Sequence, residues 1–233
     1  MQARFNKKKA ALVRVEAYQR LFNKNIKDNE IILIDNISHL KYLKTRFDKD
    51  NFVFLFRDNF WFLAKKGKLE MSEFEIKKLN NIHLDSIIFN QVIQINLQNH
   101  KYLGLGWTHP REYSHLDNKF GAWSEGQKST LLFKSDNDKK FSVKFVYDSN
   151  VKKKNYEFFM DIVINNLNYK RVLINNESEK SFLIIIDPKN FKSKDIVIEF
   201  NFSNIKSSWE QAFKPDFRFL GIKIKSIEFQ KIN

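Results

Sequence analysis

Beyond residue 85 the chain is built almost entirely from short apolar runs that alternate with polar residues, and this pattern constrains its fold more than any other feature. A period of two turns one row of side chains toward a core and the other toward water, as in an antiparallel strand. Such runs cover 87–97, 103–107, 130–133, 141–147, 158–164, 169–174, 182–186, 196–202 and 219–229. Turn-forming clusters separate them: Ser135 to Asp138, Asn165-Asn166, Asn175-Asn176 and Pro188 to Asn190. Strands at this spacing, each with one polar face, predict a mainly β chain folded as an antiparallel sandwich or jelly roll.

The first 85 residues read differently. Ala10, Val13, Ala17 and Leu21 share one face of a helix expected over 6–23. A short buried strand follows at 31–34, ending at Asp35, and a second helix is expected over 39–47. The runs 52–56 and 60–64 predict a hairpin about residues 57–59. Ser72 and Glu75 sit at the spacing of a capping box for a helix over 72–79. The expected organisation is a small α/β segment over 1–85 and a β-sandwich over 86–233.

Glycine and tryptophan are scarce and unevenly placed. Of 6 glycines and 4 tryptophans, Gly104, Gly106, Gly121, Gly126, Trp107 and Trp123 all fall within 104–126. Glycine serves positions of positive φ or close backbone approach, and tryptophan joins a large apolar surface to one donor. Two strands joined by a shaped loop that fixes its aromatic rings are therefore expected here.

Composition removes several classes of function. The chain has no cysteine, so disulfides, a thiolate nucleophile and thiolate metal ligands are excluded. The formal net charge of +14 suggests nucleic acid, but 33 of the 41 basic residues are lysine rather than arginine, the side chain suited to bidentate phosphate and base contacts. Lysine, asparagine, isoleucine and phenylalanine are high together, which describes a solvated lysine-rich surface and argues against nucleic acid. No apolar run approaches the roughly 18 to 20 residues that span a bilayer. The apolar run at 10–13 is cut by Arg14 and Glu16, so no signal peptide is expected. These features leave the compartment open between the cytoplasm and an envelope-associated location.

Three pieces of the second half carry a resemblance. They are Gly-Trp-Thr-His-Pro-Arg-Glu at 106–112, Gly-Ala-Trp-Ser-Glu-Gly at 121–126, and the closing stretch 208–229 with Asp216, Arg218, Leu220, Gly221 and Ile222. Together they resemble the jelly-roll accessory domain attached to bacterial membrane glycosyltransferases and related proteins of capsule and lipopolysaccharide assembly. The resemblance covers 86–233. It departs from the family pattern in the eight residues between Glu112 and Gly121, and the transmembrane catalytic part of such enzymes is missing. A separate accessory protein, the soluble tail of a longer one and a remnant of a split gene all fit. The resemblance implies a non-catalytic, carbohydrate-associated role in envelope-polysaccharide biosynthesis, with a surface glycan or a membrane glycosyltransferase as partner and no cofactor.

On that reading Trp107 and Trp123 are candidates to stack on sugar rings. Glu112 and Arg218 are candidates for a carboxylate–guanidinium clasp that fixes the loop or a sugar hydroxyl. Gly106, Gly121, Gly126, Asp216 and Gly221 form the structural frame of the motif. The bland reading of the same residues makes both indoles core pieces and the clasp a structural bridge. His109, Glu112, His115 and Asp117 have metal-ligating chemistry, but Pro110 breaks any helical spacing and no metal is assigned. Asp136-Asn137-Asp138 imitates a metal-diphosphate motif and is read as a hairpin turn. The rival functions are a glycosyl- or substituent-transferase working through Asp35 or the His109 cluster, and a basic nucleic-acid binder. Lys7 to Lys9, Arg14 and Arg20 on the first helix make contact with an anionic membrane surface a further alternative.

Overall fold

The computed structural model describes residues 32–34, 40–43, 52–57, 60–65, 83–96, 99–108, 121–151, 155–176, 180–207, 210–211 and 218–232. Strands β1 (Ile32–Ile34), β2 (Phe52–Arg57) and β3 (Phe60–Lys65) form an antiparallel sheet in the order β1-β3-β2. Arg57 faces Phe60 where β2 turns into β3, the expected hairpin. Residues 40–43 are helical, with Leu40 and Leu43 buried. The helices expected over 6–23 and 72–79 lie outside the described residues. No described strand of this sheet pairs with the two sheets that follow.

The rest is the mainly β fold that alternation predicts: two antiparallel sheets facing each other. One has the order β10-β7-β12-β4, with β5 also paired to β12; the other has the order β6-β11-β8-β9. The strands are β4 (Val92–Gln94), β5 (Ala122–Glu125), β6 (Lys128–Lys134), β7 (Phe141–Ser149), β8 (Phe158–Ile164) and β9 (Leu167–Ile174). They continue with β10 (Ser181–Ile186), β11 (Asp195–Ser203) and β12 (Leu220–Lys231). Strand β8 shows the cause plainly: Phe158, Met160, Ile162 and Ile164 are buried, while Phe159, Asp161 and Val163 between them are only partly covered. Facing rows interlock edge to face, with Phe133 against Phe229 at 5.0 Å and Phe145 against Phe200 at 5.8 Å between ring centroids.

The asparagine pairs act as their chemistry suggests. Asn165 and Asn166 adopt φ of 45° and 72°, the left-handed pair that a two-residue hairpin needs between β8 and β9. Asn165 also ties that turn to β11, since its Oδ1 accepts from Val197 N–H at 2.8 Å and its Nδ2 donates to the Asp195 carbonyl at 3.0 Å.

Three sequence readings change in the folded chain. The run 87–97 contracts to β4, because it passes between sheets: Ser86 pairs with Lys134 of β6 and Phe89 with Phe229 of β12, with Asn90 turning the chain at φ 57°. The run 103–107 is likewise a crossing rather than a regular strand. The Asp136 segment is a connection between β6 and β7, but these strands lie in different sheets, so it is no hairpin. Asp136 accepts from Ser86 Oγ at 3.1 Å, and that bond with Lys134 beside it holds its carboxyl below the usual range.

Candidate functional site

The described residues of the glycine-tryptophan motifs, 104–108 and 121–126, come together where the chain crosses between sheets. Residues 102–105 bond to β6: Leu132 N–H donates to the Tyr102 carbonyl, Gly104 N–H to the Thr130 carbonyl, and Thr130 N–H to the Leu105 carbonyl. Residues 106–108 then bond to β5, through Glu125 N–H to the Gly106 carbonyl at 2.7 Å and Thr108 N–H to the Trp123 carbonyl at 2.8 Å. The corner is Gly106, with φ 80°. Sheet-switching corners of this kind need a bend or bulge.

The closing motif is built into the same place. Leu220 pairs with Glu125 and Lys223 with Trp123, so Gly221 and Ile222 both face Ser124 across a β-bulge. Ser124 Oγ fills the bulge, accepting from Gly221 N–H at 3.1 Å and Ile222 N–H at 3.0 Å. Gly221 is required because a Cβ there would lie 2.7 Å from that same oxygen. Gly126 turns β5 toward β6 at φ 83° and donates to the Phe219 carbonyl at 2.8 Å. Ser124→Ala would leave two buried N–H groups without an acceptor, at about 1 to 3 kcal/mol for such a group. Chemical denaturation should show a loss of about 2 kcal/mol, and Ser124→Thr should recover part of it.

Trp107 is a core residue, which corrects its assignment as a stacking platform. It is 6% exposed, its Nε1–H donates to the Thr130 carbonyl at 2.7 Å, and its ring meets Phe200 edge to face at 6.1 Å. Neither ring face is open to a sugar. The alternative reading as a core piece holds for Trp107; sequence does not choose between the two, because an indole beside glycines reads alike in a loop and in a sheet-crossing corner.

Trp123 has the other environment. Its neighbour Ala122 is in the core, so alternation along β5 turns the half-buried indole to the outer face of the sheet. Across β12 it pairs with Lys223, and Lys223 in turn pairs with Asp148 of β7. Asp148 accepts from Lys225 Nζ at 2.8 Å. Gly121, with φ 117°, makes room for this row: a Cβ there would lie 2.6 Å from the Ile224 carbonyl oxygen and 2.9 Å from Lys223 Cε. A partly exposed indole, a carboxylate and the Lys225 ammonium thus stand on three paired strands, with Lys223 between them buried.

Arg218 is partly exposed and precedes β12 beside the Gly126 turn, so the fold does not set it opposite Trp123. Glu112, Asp216, Asp35, and the cluster of His109, His115 and Asp117 lie outside the described residues. Among the described residues no group of three or more histidines, aspartates or glutamates could hold a metal ion. Lys223, Asp148 and Lys225 were missed by sequence reasoning. Each occupies a polar position of an alternating strand, but only the register makes them neighbours.

No family model matches the chain, and no curated protein matches it in sequence. Loose structural likenesses exist. The insecticidal delta-endotoxin Cry8Ea1 of Bacillus thuringiensis matches with a TM-score of 0.41 and 12% identity, over 76% of this chain and 29% of the toxin. The CBM36-1 domain of a multidomain xylanase from the hindgut metagenome of Trinervitermes trinervoides matches with a TM-score of 0.36 and 10% identity, over 61% of this chain and 98% of that domain. A family 6 carbohydrate-binding module matches with a TM-score of 0.34 and 7% identity, over 64% of this chain and 99% of the module. This chain therefore spans less than a third of the toxin it matches. At TM-scores of this size the fold assignment stands on the strand pairing itself.

Proposed function

We propose that this chain is a non-catalytic, carbohydrate-associated module of bacterial envelope-polysaccharide assembly, and that it meets glycan on the outer face around Trp123. The observation that carries the proposal is Trp123 with Asp148 and Lys225 nearby; Lys223, which links Trp123 to Asp148 in register, is itself buried. A partly exposed indole on a paired strand offers a flat apolar surface for the C–H face of a pyranose, held at little entropic cost. The Asp148 carboxylate and the Lys225 ammonium, both partly exposed, suit sugar hydroxyls and acidic substituents. The described residues of the three motifs, 106–108, 121–126 and 218–222, pair with one another around this row, which supports the same context. A membrane glycosyltransferase is the protein partner that context implies.

The test is calorimetric titration with capsule and lipopolysaccharide oligosaccharides. Trp123→Ala is expected to weaken binding by about tenfold or more, the scale of one lost aromatic contact. Its denaturation midpoint should stay close to that of the parent, because the indole lies outside the core. Failure of every such oligosaccharide to bind at millimolar concentration would end the proposal.

A further inference from the structure

Apolar exposure among the described residues is concentrated on two edge strands of the sandwich. Among the described residues seven large apolar side chains are exposed, and five of them lie on two edge strands: Leu167, Tyr169 and Leu173 on β9, and Leu183 and Ile185 on β10. Their exposures run from 40% to 54%. Strands β9 and β10 are the outermost members of different sheets, yet one contact shows that they border a common side. Tyr169 is the extra residue of a bulge in β9, where Lys170 pairs with Ile162 but Asn168 with Val163. Its hydroxyl oxygen accepts from Ile185 N–H of β10 at 2.9 Å.

That hydrogen bond decides what kind of partner fits. An open edge strand ordinarily recruits another strand through its outward N–H and C=O groups. Here Tyr169 already occupies one of those donors, so strand addition is obstructed while the apolar side chains stay open. The exposed cations Lys170 and Lys180 flank the side chains on the two strands, Arg171 is held by Asp161 at 2.6 and 2.9 Å, and Lys144 faces Glu228 across β7 and β12. A second copy would bring another net charge of +14 against this one.

We infer that the β9–β10 side is a peripheral membrane surface that inserts Leu167, Tyr169, Leu183 and Ile185 among the headgroups of an anionic bilayer. Aliphatic side chains supply the apolar term, a tyrosine ring with a polar tip suits the interface, and lysines meet the anionic lipid. This contact is independent of the glycan row at Trp123, which lies on the outer face at the other edge of β12.

The experiment is co-sedimentation of the full chain with phosphatidylcholine vesicles, with and without phosphatidylglycerol. Binding is expected only with phosphatidylglycerol and should be released by salt. The pair Leu183→Ser and Ile185→Ser should weaken it by about tenfold or more, and the pair Lys170→Ala and Lys180→Ala by on the order of thirtyfold at low salt. Should the serine pair perturb folding, the lysine pair carries the test, since both lysines are exposed. Equal affinity for both vesicles, no binding to either, or full binding by both variant pairs would overturn the inference. So would a concentration-dependent dimer in sedimentation velocity that the serine pair abolishes, because the side would then belong to a second copy.

Discussion

Gly106→Ala is expected to lower the stability of this protein by about 4 kcal/mol, through left-handed backbone strain of about 1 kcal/mol or more and a clash that the core must absorb. The clash is with backbone: a Cβ at this position would lie 2.0 Å from the Lys128 carbonyl oxygen and 2.9 Å from Ser129 Cα. Rotating the peptide offers no relief. The Gly106 carbonyl accepts from Ser129 Oγ at 2.6 Å and from Glu125 N–H at 2.7 Å, so both sheets hold the corner. A shift of the denaturation midpoint consistent with less than about 1 kcal/mol would show that the corner tolerates a side chain, which the scale of these penalties does not allow.

Trp107→Ala is expected to cost about 3 to 5 kcal/mol, the range for removing a buried aromatic ring, and a large share of the roughly 5 to 15 kcal/mol that holds a domain together. The loss comes mainly from packing against Phe200 and its neighbours. The Thr130 carbonyl that receives the indole N–H also accepts from Gly104 N–H at 2.8 Å, so removing the indole does not orphan it. Trp107→Phe should therefore recover most of the stability. The two tryptophans separate the roles: Trp107→Ala is expected to weaken glycan binding only to the extent that it unfolds the protein, whereas Trp123→Ala is expected to weaken it about tenfold or more with the fold kept. A Trp107→Ala protein that stayed as stable as the parent but lost glycan affinity would reverse this division.

The strands were legible because their information is local. In β8 and β11 each residue carries its own burial preference, and a period of two survives whatever the strand pairs with. The Asn165-Asn166 turn was legible for a similar reason, since few residues other than glycine accept φ of 45° and 72° in succession. The crossings at 86–95 and 103–108 were not legible. Their alternation is that of a strand, but their partners change from one sheet to the other partway along, and nothing local marks the change except Asn90 and Gly106. Strand β5 was hidden in the same way, inside a motif read as loop.

The site divides along the same line. The residues of the glycine-tryptophan motifs were visible as a group, and those described, 104–108 and 121–126, do meet where the chain crosses between sheets. Which indole faces outward was not visible, because Trp107 and Trp123 share composition and context and differ only in the side of the backbone they occupy. Nor could the row of Trp123, Lys223 and Asp148 be read, since its members are far apart in the chain and become neighbours through the register of β5, β12 and β7.

By itself the sequence determined the fold class, the main strands and the positions where only glycine or asparagine serves, because each of these rests on the preference of a residue for its immediate backbone and burial. Tertiary structure alone decided which strands share a sheet, which indole is buried and which charges stand beside the other. Those outcomes depend on the pairing of distant segments, a property of the whole core that no single stretch of chain records.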